Sequence, residues 1–72
     1  MELVGQVTRT QEAEDGRLQV EFRCTNQETF CFIAPPAIQP PENELIRCFT
    51  HRQVYEDGSI GRDHILEHWE PL

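Results

Sequence analysis

The chain contains no lysine. Its permanently charged cations are six arginines, set against thirteen acidic residues, for a formal net charge of −7. General nucleic-acid binding rests on neutralising phosphates with cations, so this balance argues against it. It argues equally against docking on an anionic membrane. A protein partner with a basic surface suits the charge better, although acidity also serves simply to keep a small protein dissolved. Serine occurs once, as Ser59, directly after a turn glycine and with no base partner in sequence, which leaves no serine-based catalytic pattern. The glycines at 5, 16, 58 and 61 form neither a phosphate-binding loop nor a dinucleotide fingerprint.

Long apolar runs are missing too. None approaches the roughly 20 residues that span a bilayer, and MELVGQVTRT lacks the basic start and apolar core of a signal peptide. Three cysteines, an odd number without an export signal, fit reduced thiols in a cytoplasmic protein. Seventy-two residues make a single domain, residues 1–72. Such a chain buries only about 60% of the surface its unfolded form exposes. That leaves no room for a deep cleft between subdomains, so the expectation is a non-enzymatic protein with no cofactor. Self-association into a homo-oligomer would help so small a core.

What remains is a pattern of strands. Residues 17 to 25, RLQVEFRCT, alternate: Leu18, Val20, Phe22 and Cys24 on one face, Arg17, Gln19, Glu21 and Arg23 on the other. LVGQVTRTQ upstream is a second strand, with Gly5 marking a bulge or a close approach. Asp15-Gly16 between them predicts a hairpin. TFCFIA follows as a third strand, and a short loop would set Phe32 opposite Phe22 and Phe30 opposite Cys24. Prolines at 35, 36, 40 and 41 lack the spacing of a PxxP ligand. With Ala37 and Ile38 between them they predict a stiff crossover between sheet edges, Ile38 packed beneath it. A second hairpin signal, Asp57-Gly58, lies in ELIRCFTHRQVYEDGSIGRD. Ile46, Cys48, Thr50 and Val54 should face inward there, and Arg47, Phe49, His51, Gln53 and Tyr55 outward. DHILEHWEPL suits a short helical turn better than a strand, with Asp63 as its N-cap, because Glu67 would intrude between Ile65 and Trp69 on a strand face.

Metal ligation has weak support. Cys24 and Cys31 are too far apart and face opposite ways, and so do Cys48 and His51. His64 and His68 would share a helical face but lack a third ligand. The stretch that resists a bland account is RCFTHRQVY, residues 47 to 55, which interleaves aromatics with arginine and histidine and holds no carboxylate. Solvated strand faces rarely do so, whereas interface hot spots favour arginine and aromatics. The same side chains would stack single-stranded bases. The plainer alternative is that the C-terminal turn, through Trp69, covers Phe49 and Tyr55.

The ending DGSIGRDHILEHWEPL resembles the closing part of SH3-like domains, where a hairpin leads through a glycine-marked strand and a one-turn helix to a final strand. The resemblance covers about 16 residues and implies a barrel. It implies no ligand, because the aromatic N-terminal motif of the proline-peptide groove is absent. These observations together predict an all-β fold, a small five-stranded SH3-like or OB-like barrel with a short C-terminal helical turn. The expected function is binding of a protein partner with a basic surface, in the manner of a small regulator or inhibitor of phage or mobile-element character. Arg47, Phe49, His51, Arg52 and Tyr55 are the expected anchors, and acids at Glu12, Glu14, Asp15, Glu56 and Asp57 would steer the encounter. A single-stranded nucleic-acid-binding OB-type module is the second expectation, and a metal function through His64 and His68 the third.

Overall fold

Alternation, turn chemistry and β-branched runs resolve into five strands in the computed structural model, which describes residues 1–72: β1 (Glu2–Glu12), β2 (Leu18–Cys24), β3 (Thr29–Ala34), β4 (Ile46–Val54) and β5 (Ile60–Pro71). They close into a barrel in the order β1-β2-β3-β5-β4. All neighbours are antiparallel except β3 and β5, which run parallel and meet at one bridge, Ile33 with Ile65. A continuous meander of the SH3-like kind would pair β3 with β4. Here the chain crosses over before β4, giving the Greek-key order of an OB-like barrel.

The three hairpin loops are copies of one geometry. In each, an N–H donates across a five-residue loop: Ala13 to Arg17, Cys24 to Glu28 and Tyr55 to Ser59. In each, the fourth residue donates back to the first and takes a positive φ: Gly16 (85°), Gln27 (76°) and Gly58 (86°). In each, an Asp or Asn side chain accepts the N–H two residues on: Asp15 from Arg17, Asn26 from Glu28 and Asp57 from Ser59. Only the middle loop lacks glycine at the left-handed position.

The β2–β3 register is two residues from the expected one. Phe22 faces Phe30 and Val20 faces Phe32, because the loop closes at Cys24 and Glu28. A two-residue shift leaves every side chain on its predicted face, and the rings of Phe22 and Phe32 still touch diagonally at 5.8 Å. They belong to a core of Leu3, Val7, Val20, Phe22, Phe32, Ala34, Ile46, Cys48 and Leu66. Thr50 is buried among the inward residues of β4, and its Oγ1 has no hydrogen-bond partner.

The proline segment is the predicted joint. Ile38 packs against the core and donates its N–H to Pro35, while Pro40 is buried. The segment ends against β1, where Glu42 bridges Val7 in parallel and the Asn43 N–H donates to the Val7 carbonyl. Pro36 lies over Gly16, tying the joint to the first hairpin.

Two expectations are corrected. Residues 63 to 69 form no helical turn but belong to β5. The objection to a strand was Glu67, and a bulge removes it. Phe49 pairs with His68 and Thr50 with Leu66, so the extra residue is Glu67, and Leu66 and Trp69 both face inward. Second, Val54 is not in the core. It pairs with Ile60 on a part of the β4–β5 hairpin that overhangs the barrel, and each is 64% exposed.

Two substitutions test this account. Gln27→Gly should stabilise the protein by about 0.5–1 kcal/mol, the left-handed strain relieved less the entropy glycine adds to the unfolded chain. Thr50→Val, which removes an unpartnered hydroxyl at nearly constant shape, should stabilise it by about 1 kcal/mol. Urea midpoints, expected to rise by roughly 0.5–1 M in each case, decide both. An unchanged or lowered midpoint would contradict the loop geometry or the unpaired hydroxyl, respectively.

Candidate functional site

Strand β4 lies between β1 and β5, so its outward row acquires neighbours that its own sequence does not show. Arg47 stands between Val4 and Glu70, and Phe49 between Glu2 and His68. Three carboxylates therefore reach a stretch that contains none. Arg47 Nε is 3.5 Å from Glu2 Oε1, and its Nη1 is 3.6 Å from Glu70 Oε1. These are charge contacts rather than hydrogen bonds, and the buried Nε has no hydrogen-bond partner. His51 Nδ1 lies 2.6 Å from Glu67 Oε1, and His68 Nε2 lies 3.5 Å from Glu70 Oε2. Exposed pairs of this kind contribute about 0–1 kcal/mol each, so they orient the surface more than they stabilise the fold.

Phe49 is half-buried, and its ring stacks on that of His68 at 5.8 Å and 23°. His68, then, is its neighbour on the outside. Trp69 points the other way, against the core opposite Cys48. The same bulge that turns Trp69 inward turns His68 outward.

The expected anchors are only partly brought together. Arg47, Phe49 and His51 form one row with Glu2, Glu67, His68 and Glu70 around them. Arg52 takes the opposite parity. Its Nε and Nη2 donate to the Gly61 carbonyl at 3.2 and 3.0 Å, inside a second bulge where three residues of β5 oppose one of β4. Tyr55 sits at the hairpin end, its ring over Gly61, where a Cβ would come within 3.1 Å of it. Both residues shape the overhanging hairpin rather than the row.

The acidic loops are as expected on the surface. Hydrogen bonds hold two of their carboxyls below the ordinary range: Asp15 chiefly through the Arg17 N–H, and Asp57 chiefly through the Ser59 hydroxyl and then its N–H. His64 and His68 lie on opposite faces, His64 edge-on to Phe30 at 4.8 Å, and no group of three His, Cys, Asp or Glu side chains is arranged to hold a metal. No helix is long and apolar enough to cross a membrane.

A concavity escaped sequence reasoning entirely. A groove of about 520 Å³ crosses the outside of β1, β2, β3 and the start of β5, with Cys31 and Ile33 among its lining. Its residues come from four strands, so no contiguous segment announces it. Comparison of the chain with known protein families, curated proteins and solved structures finds no match.

The three thiols differ by environment: Cys31 is exposed, Cys24 half-buried and Cys48 buried. Burial, and secondarily Glu28, raises the Cys24 pKa; burial, and secondarily Cys24, pushes Cys48 up to about 11 from 9.0. A thiol reagent at neutral pH should modify Cys31 at once, Cys24 slowly and Cys48 only on unfolding. Because the folded pKa of Cys48 exceeds its unfolded value, its protonated form supports the fold fully below pH 9.0. That support should fall, by about 2 kcal/mol, as pH rises from there toward 11. Denaturant midpoints across this range should decline in the native protein and decline less in Cys48→Ala; equal slopes would contradict the assignment.

Proposed function

We propose that this chain is a non-enzymatic binding module that docks on a protein partner with a basic surface, through the outer face of β4 and β5. The observation that carries this reading is the Phe49–His68 ring pair, half-exposed and bordered by Glu2, Glu67 and Glu70. An aromatic centre with a charged rim is the pattern of interface hot spots. With the histidines neutral, three carboxylates and one arginine leave this face at a formal −2. Arg47 is already shared between two carboxylates and adds little attraction for a phosphate chain. The acids of the β1–β2 and β4–β5 loops add to the net negative charge of the chain and would speed encounter with a cationic surface.

A single-stranded nucleic-acid module is the second reading, favoured by the OB-like strand order, since such barrels bind oligonucleotides across β2–β3 between the β1–β2 and β4–β5 loops. Glu12, Glu14, Asp15, Glu56 and Asp57 flank that path and oppose a polyanion.

Pull-down from native-host extract, followed by affinity measurement on the recovered partner, tests the proposal. Phe49→Ala should weaken binding about 30-fold, as loss of a central hot spot does. Glu67→Lys with Glu70→Lys should slow association about tenfold at low salt and much less at high salt. Folded variants that bind the partner unchanged would remove this face from consideration. Micromolar binding of an oligothymidylate that collapses with salt would move the function to nucleic acid.

A further inference from the structure

The arginines divide by what they touch. Arg17 pairs with Asp15, Arg47 with Glu2 and Glu70, and Arg52 holds the Gly61 carbonyl. Arg9, Arg23 and Arg62 have no carboxylate within 4.0 Å and make no side-chain hydrogen bond, in a chain with thirteen acids to choose from. All three lie on the outer side of β1, β2 and β5, away from the Phe49 face. Arg9 and Arg62 line the 520 Å³ groove from β1 and β5, and so do Glu21, directly across the ladder from Arg9, and Asp63, so its formal charge is zero. Neither guanidinium has a carboxylate within 4.0 Å. Arg23 lines a smaller hollow of about 220 Å³ that shares Glu21 with it.

The geometry points to this groove as a binding site for a small organic anion, a monophosphate or carboxylate with a compact apolar body. Guanidinium groups left without intramolecular partners are free to form paired, charge-assisted hydrogen bonds to such a head group. The volume falls in the range of small-molecule sites. Ile33, half-buried, and the exposed Cys31 offer an apolar floor, while Gln11 and Gln19 supply neutral donors and acceptors. A long polyanion fits poorly. The loops that follow β1 and precede β5 carry Glu14, Asp15, Glu56 and Asp57, and the two rings that line the groove are the buried Phe32 and the half-buried His64, already packed edge-on to Phe30. A short ligand with one anionic end meets the arginines without reaching those loops, and the carboxylates beside it are then Glu21 and Asp63 alone. This site lies on a different face from the proposed protein contact and does not depend on it.

Titration of the isotope-labelled chain with phenyl phosphate, followed by amide resonance shifts, provides the test. Shifts should concentrate on Arg9, Cys31, Ile33 and Arg62, saturating below about 10 mM. Inorganic phosphate should perturb the same arginines but bind several-fold more weakly, because it lacks the apolar body. Arg9→Gln and Arg62→Gln should each weaken phenyl phosphate about tenfold, with unchanged denaturant midpoints; Arg47→Gln, on the other face, should have no effect. Absence of localised shifts, or shifts that persist in the Arg9→Gln/Arg62→Gln double variant, would overturn the assignment. So would an oligothymidylate that occupies the groove more tightly than phenyl phosphate, which would make it a nucleic-acid path instead.

Discussion

Closure of this barrel depends on one backbone crossing. Strand β1 must pair with β2 on one side and β4 on the other, and Gly5 is the residue that belongs to both ladders, opposite Cys24 and opposite Ile46. There β1 approaches β2 so closely that a Cβ would sit 2.0 Å from the Arg23 carbonyl oxygen, a position no side-chain carbon can occupy. Past it, a register shift between Val7 and Arg9 bends the strand again, so that its second half follows β2 outward. A small sheet with no helix to cover it must either expose its edges or curl onto itself, and curling this tightly needs such points. The core and both outer surfaces follow from where they fall.

Much of this was legible from local pattern. The three hairpins, the inward faces of β2 and β3, the proline joint and the inward set Ile46, Cys48 and Thr50 each follow from a rule that acts over a few residues. Gly5 was recognisable as a bulge or a point of close approach, because a glycine in a β-branched run has few other uses, and the structure makes it the latter. The misplaced helical turn and the misplaced Val54 share a cause. Residues 63 to 69 read as a helix because Glu67 breaks the alternation, and only a partner strand reveals that a bulge absorbs it. Val54 read as core because parity says which side a residue faces, not whether the barrel still lies beneath it. Strand length relative to barrel height is a property of the assembled sheet.

The charged surface shows the same limit more sharply. Residues 47 to 55 look cationic because their own segment has no acid, yet Glu2, Glu67 and Glu70 arrive from strands 45 residues before and about 20 residues after in the chain. Conversely Arg9 and Arg62 lie in stretches that contain Glu12 and Asp63, and look neutralised in sequence; in the barrel Arg9 faces Glu21 across the ladder, yet neither guanidinium has a carboxylate within 4.0 Å. Cross-strand neighbours decide the electrostatics of a sheet, and chain order conceals them. The face that appears basic is acid-rimmed, and the free cations lie elsewhere.

Strand β5 links the two surfaces, and its two bulges divide it into segments with different surroundings. Residues 62 to 64 line the groove, Ile65 holds the single parallel bridge to β3, Leu66 and Trp69 fill the interior, and Glu67, His68 and Glu70 border the Phe49 face. A regular strand cannot do this, since a period of two would place Leu66, His68 and Glu70 on one side and Glu67 with Trp69 on the other. His68 would then point into the core and Trp69 into solvent, leaving Phe49 without its stacking partner and the interior with an imidazole in place of an indole. One additional residue at position 67 reverses that outcome. The residue that most obscures this strand in the sequence is therefore the one that makes both its buried and its exposed side consistent with the fold.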